Sequence, residues 1–178
     1  MLICWFFMVS ELKLEEIWNP YNSIMLNGRH KELCTKAYEK FPRKLKKKIF
    51  KHHLIICDYF YHSKYPDKII DGMPYGFYHV GRGMIDIIPE EAKKLSDDAF
   101  MGFIVHETAH FYFDKTSFLW KRLLKWVFKL KFNSLSLEHQ KFYREPEEIY
   151  AEWQAIKWGF YEETLKLNKE RVIIKQKE

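Results

Sequence analysis

Apolar positions in the first part of the chain keep a helical spacing. Leu33, Ala37 and Phe41 recur through a segment that predicts a helix over 29–40, which Phe41-Pro42 breaks. A second helix is predicted over 43–51. Leu45, Ile49 and Phe50 form its buried stripe, and Lys44, Lys46, Lys47 and Lys48 form a solvated basic face. The period then changes. Residues 54–60 (LIICDYF) are a continuous apolar, β-branched run, the pattern of a buried strand. A turn-rich stretch containing Pro66-Asp67, Asp71-Gly72 and Pro74 follows, and Asn27-Gly28 is a turn signal ahead of the first helix. Residues 75–80 (YGFYHV) predict a second strand, Gly81-Arg82-Gly83 a hairpin connection, and residues 84–88 (MIDII) its partner, stopped by Pro89.

Helical patterning returns at Ser96, an N-cap residue followed by Asp97 and Asp98, where a helix dipole favours anions. The helix is expected to run from 97 to about 114, with Phe100, Phe103, Ile104 and Phe111 as apolar contacts. Residues 118–132 (FLWKRLLKWVFKLKF) are basic and amphipathic. Leu119, Leu123, Val127 and Leu130 keep helical spacing, and so do Trp120, Leu124 and Phe128. The expectation is a core-packed or lid helix; peripheral contact with an anionic membrane is the alternative. Pro146 suits the first position of a further helix, with Glu147 and Glu148 in its first turn and an end near Gly159. A last amphipathic segment, 161–174, leads into a charged tail.

Composition narrows the class. A chain of 178 residues with 47% hydrophobic and 18% aromatic content implies a single domain with a substantial core. The net charge of +6 permits anionic contacts, but no nucleic-acid-binding motif accompanies it. Cys4, Cys34 and Cys57 are odd in number and contain no C-x-x-C, so reduced thiols and a cytoplasmic location are expected. Residues 1–9 (MLICWFFMV) are too few to span a bilayer and lack a basic lead and a good cleavage site. They are expected to pack on the domain; an upstream start before Met8 and a membrane anchor are the alternatives.

The chemistry concentrates at His106-Glu107-Thr108-Ala109-His110, an H-E-x-x-H pattern on the predicted 97–114 helix. Positions i and i+4 share a helix face about 6 Å apart, so two neutral imidazoles can hold one zinc ion (Zn2+) at about 2.0–2.1 Å each. Glu107 leaves the helix about 100° from His106, placed to act as a general base without ligating. Two imidazoles and a carboxylate also suit Fe(II), but a Glu inside this spacing points to zinc. Gly102, one turn before His106, is expected to leave open space beside the metal.

A third ligand is needed. No histidine follows at the H-x-x-G-x-x-H spacing, since Phe111-Tyr112-Phe113-Asp114 comes next. The best donor is a carboxylate on the helix that starts at Pro146. Glu148 and Glu152 share a face, with Ala151 and Ala155 beside them, and Glu145 and Glu147 are rivals to Glu148. For an oxyanion donor, Tyr143 is placed ahead of Tyr150, His139 and His79, because it lies just before this helix.

The H-E-x-x-H with a later E-x-x-A-[D/E] resembles the gluzincin-type zinc metallopeptidases. The resemblance covers roughly residues 54–160. It implies that His106, His110 and Glu148 are zinc ligands, Glu107 the general base and Glu152 a carboxylate orienting a ligand histidine, although the family often has Asp at the Glu152 position. It also implies a zincin-like α+β fold in which a small mixed or antiparallel sheet of about three strands packs on an active-site helix and a glutamate helix. Residues 75–80 would be the edge strand that binds a peptide or protein substrate, with 84–88 inside it. Residues 1–53 would be a helical extension of the same domain, and 161–178 a terminal helix and tail. The competing reading is a zinc-holding binding or regulatory protein without general proteolytic turnover. Oligomeric state has no signal in the sequence.

Overall fold

The computed structural model describes residues 26, 28–58, 75–137, 139, 143 and 145–175. The apolar residues 1–9 with Cys4, Asn27, the last two positions of the first expected strand and the loop 61–74 lie outside the described residues.

Seven helices and three strands are present among the described residues. Helix α1 (Gly28–Lys40) buries Leu33, Ala37 and Tyr38, and α2 (Arg43–His52) buries Leu45 and Ile49. Phe50 departs from the expected buried stripe and is 51% exposed. Lys48 departs from the expected solvated face. It folds over the Tyr112 ring at 3.8 Å, and burial followed by repulsion from Lys44, Lys121 and Lys51 lowers its pKa to about 8.

The sheet is mixed, in the order β1-β3-β2, from β1 (Ile55–Asp58), β2 (Gly76–His79) and β3 (Met84–Ile87). The expected hairpin is β2 with β3, antiparallel and in the register Gly76 to Ile87 and His79 to Met84. Its turn needs positive φ at Gly81 (83°) and Gly83 (68°), which explains the two glycines. Strand β1 pairs with β3 in parallel, so β3 is central and β2 forms an edge. Pro89 ends β3 as expected, but it also opens a one-turn helix, α3 (Pro89–Ala92). Pattern reading does not resolve an element that short.

Helix α4 (Asp97–Asp114) is the centre of the molecule. It packs against α1, the sheet, α6 (Pro146–Lys157) and α7 (Tyr161–Lys175). Ile56, Ile85 and Ile87 meet Phe100, Phe103, Ile104 and Phe111 in one core. Ser96 caps α4 as expected, accepting from the Ala99 N–H, and its own hydroxyl donates to Glu170 of α7 at 2.7 Å. Gly102 serves packing, not space beside a metal. A Cβ there would lie 2.3 Å from the Glu163 carbonyl oxygen and 3.2 Å from the Leu167 Cβ. Its absence lets α7 lie directly on α4.

Three polar contacts at the buried Asp58 and Asp86 tie the elements together. His30 of α1 stacks on Phe100 (4.6 Å between ring centroids) and its Nδ1 meets Asp58 Oδ1 of β1 at 2.5 Å. On the opposite face of the sheet Asp86 accepts from Cys57 at 3.0 Å and contacts His79 Nε2 at 2.7 Å. Cys34 and Cys57 are free thiols, and burial followed by the hydrogen bond to Asp86 pushes Cys57 up to about 12. No helix among the described residues is long and apolar enough to cross a membrane.

Helix α5 (Phe118–Asn133) follows α4 after a short turn. Phe128 is its one buried residue; it packs on Tyr150 of α6, in a satellite core with Phe113 and Ile149. The core-packed expectation therefore holds for only one side of α5.

Candidate metal centre

His106 and His110 stand one turn apart on α4, as the i, i+4 spacing dictates. The first is buried and the second nearly so. Their Nε2 atoms approach to 3.2 Å, with the rings edge-on at 72°. Pro146 starts α6 at the expected position, with Glu147 and Glu148 in its first turn. Glu148 reaches both imidazoles: Oε2 lies 3.1 Å from His106 Nε2 and Oε1 lies 3.3 Å from His110 Nε2. Its two rivals go elsewhere. Glu145 is exposed, and Glu147 pairs with Lys125 of α5 at 3.0 Å.

The donor set and its spacing fit a divalent cation. The three groups bring ligand atoms within 4.8 Å of one another. A tetrahedral centre with bonds of about 2.0–2.1 Å has ligand–ligand edges of about 3.3 Å. The two imidazole nitrogens, 3.2 Å apart, are spaced at that edge, and the Glu148 carboxylate brings one oxygen to 3.1 Å from His106 and the other to 3.3 Å from His110. Two imidazole nitrogens facing each other and a carboxylate could converge on a common positive charge. Glu148 keeps about a third of its side chain exposed (34%), so the cluster communicates with solvent on one side.

The electrostatics follow from that grouping. Burial alone would raise the Glu148 carboxyl, but the hydrogen bonds and charges of His106 and His110 hold it far below the usual carboxylate range. Burial likewise disfavours the charged form of His110. The Glu148 hydrogen bond, with the charges of Glu107 and Glu148, outweighs it and raises the imidazole.

Glu107 points from α4 toward the sheet. Its Oε2 accepts the backbone N–H of Tyr78 at 2.9 Å. Ile88 N–H donates to the Tyr75 carbonyl, and Tyr78 lies opposite Ile85. Antiparallel pairing then turns alternate residues toward β3 and leaves the Tyr78 N–H on the outer edge of β2. The edge strand therefore fixes one oxygen of Glu107. Tyr78 is itself held a second time, because its hydroxyl donates to Asp114 at 2.9 Å. Asp114 also accepts the Gly81 N–H at 3.2 Å and pairs with Lys115 and Lys121. Partial burial would raise Asp114, but these partners lower it to about 2.

Glu152 and Tyr143 sit together. Glu152 accepts from Asn168 Nδ2 of α7 at 2.8 Å, and the Tyr143 hydroxyl hydrogen-bonds to it. Burial, then Glu152, raises the Tyr143 phenol. Of the other oxyanion candidates, His79 contacts Asp86, Tyr150 is buried and donates to Gln154 at 3.4 Å, and His139 contacts Ser136. Pattern reading does not find Tyr78, Asp114 or Asn168. A faint signal for Asp114 exists, since it lies seven positions after Glu107 and hence on the same helix face.

A scan against protein-family models matched none, and searches of curated proteins and of solved structures found no match.

Proposed function

We propose that this chain is a zinc-dependent metallopeptidase with a zincin-like fold of the gluzincin type. The observation that carries the reading is the convergence of His106, His110 and Glu148, with ligand atoms within 4.8 Å of one another, and with Glu107 adjacent and tethered to the sheet edge. His106, His110 and Glu148 would hold the ion. Bound there, zinc supplies a Lewis acid that polarises a carbonyl and makes water nucleophilic near neutral pH.

The chain's own groups do the rest. An extended peptide added to the outer side of β2 lies beside Glu107, because the Tyr78 N–H on that edge already holds one Glu107 oxygen. The other oxygen takes a proton from the attacking water. A C–O bond forms at the scissile carbonyl, the C–N bond breaks, and Glu107 passes the proton to the departing amine nitrogen. The Tyr78 tether keeps the carboxylate from swinging into the ligand set. Glu152, bonded to Asn168 and Tyr143, stiffens the ligand helix one turn beyond Glu148.

The test is turnover of a mixed peptide library by the zinc-loaded chain. Wild type cleaves, and Glu107→Gln, which keeps an acceptor for the Tyr78 N–H, loses at least about 10²-fold in rate while retaining zinc. Cleavage by the variant at the native rate sinks the assignment of the base. A zinc-loaded wild type that cleaves nothing replaces the peptidase with the binding-module reading.

A further inference from the structure

Helix α5 carries two apolar stripes, and the described residues cover one. Leu124, Phe128 and Phe132 face inward onto the Phe113, Ile149 and Tyr150 cluster. At about 100° per residue, Leu119, Trp120, Leu123, Trp126, Val127 and Leu130 occupy a sector of roughly 120° on the opposite side. All six are exposed, Leu119 by 77%, Trp126 by 61%, Trp120 by 59% and Leu130 by 51%. A soluble surface rarely leaves so many large apolar side chains contiguous.

Charge selects what covers them. The sequence of α5 contains Lys121, Arg122, Lys125, Lys129 and Lys131 and no acidic residue. Arg122, Lys125 and Lys129 project on one flank of the exposed stripe and Lys131 on the other, by the same helical geometry. Lys121 leans back to Asp114, and Lys125 pairs with Glu147 while staying 58% exposed. A second copy of the chain docked through this face by two-fold symmetry would bring like charges together. A nucleic acid would meet the cations and leave the Leu, Val and Trp stripe in water. An anionic lipid surface satisfies both sets at once. The apolar side chains enter the acyl boundary, the two tryptophans sit at headgroup level and the cations meet phosphate.

We propose that α5 is a monotopic membrane anchor that seats the protein on anionic bilayers, with the inward stripe fixing it to the domain. The anchor is preformed, because Phe128 already packs against Tyr150 and Trp153. It lies next to the candidate metal centre in the fold. Lys125 of the anchor pairs with Glu147, the neighbour of Glu148.

Vesicle flotation of the full chain tests this. The chain floats with vesicles of phosphatidylcholine mixed with phosphatidylglycerol. It binds phosphatidylcholine alone more weakly, and the difference shrinks as salt rises. Leu123→Glu with Leu130→Glu lowers binding at least about tenfold. Arg122→Gln with Lys129→Gln lowers it about fivefold per charge at low salt. Failure of the wild type to float at low ionic strength overturns the proposal. Undiminished flotation of the Leu123→Glu, Leu130→Glu variant also overturns it, since another segment would then carry the contact. So does a wild type that does not float but is a dimer which that variant makes monomeric.

Discussion

Helices α4 and α5 follow one another in the chain, each preceded by a serine (Ser96 and Ser117) and each rich in aromatic residues, yet they place polar and apolar groups in opposite ways. Helix α4 is covered nearly all round, and its interior holds His106, Glu107 and Thr108 among phenylalanines. Helix α5 buries Phe128 and turns Leu119, Trp126 and Leu130 to solvent. Burying a charge or an imidazole costs several kcal/mol unless a partner offsets it. Exposing a stripe of leucines and tryptophans forgoes about 25 cal/mol per Å² of apolar surface. Each helix thus departs from the folding optimum on one face, and those are the faces with a proposed role. In α4 the compensation is internal, through Glu148 and the Tyr78 N–H. In α5 nothing among the described residues covers the outer stripe, and the proposed membrane contact would supply the compensation from outside.

If α4 is the rigid member of this pair, small changes in its packing must be costly. Gly102→Ala is expected to have the largest effect on stability. The added carbon meets backbone at Glu163, and the helix-propensity gain of up to about 1 kcal/mol cannot offset the clash, leaving a net loss of about 1–3 kcal/mol. Urea unfolding measures it, and an unchanged midpoint would show that α7 yields easily.

Asp114→Asn should have a smaller effect, about 1 kcal/mol at neutral pH, because Asp114 is partly exposed. Its carboxyl lies at about 2, below its ordinary 3.8. Its contribution is therefore fully present above 3.8 and is lost as pH falls toward about 2. Unfolding followed across that acid window should show a shallower pH dependence in the variant; an identical slope would remove Asp114 as the clamp on Tyr78. The outer stripe of α5 marks the other extreme. Leu123→Glu with Leu130→Glu, which should strip the chain from vesicles, is expected to shift stability by no more than about 0.5 kcal/mol per site. A large loss of stability there would mean that the stripe is part of the core, and the contrast between the helices would collapse.

Local chemistry made much of this legible from sequence. The Ser96 cap, the Gly81-Arg82-Gly83 turn, Pro146 and the i, i+4 histidines are decided within a turn or two of chain, and all stand where expected. The helical repeat puts Glu148 and Glu152 on one face, but the preference for Glu148 over Glu145 and Glu147 rests on the resemblance of E-x-x-A-[D/E] to the gluzincin-type pattern. Contacts between distant segments were not legible. His30 with Asp58, Tyr78 with Glu107 and Gly102 with Glu163 are set by how elements stack, and no periodicity encodes a partner. Helix α5 shows a subtler limit. Its pattern contains two apolar stripes at helical spacing, and either can face inward. The choice was made by the aromatic pocket of Phe113 and Tyr150, which pattern reading does not see.

The central claim is that His106, His110 and Glu148 form one metal centre, and zinc content tests it most directly. The full chain, supplied with zinc and then dialysed, is predicted to retain about one zinc per molecule by elemental analysis, and His106→Ala, folded by circular dichroism, is predicted to retain almost none. A wild type that leaves dialysis free of zinc, or a variant that keeps as much as the wild type, would contradict the account.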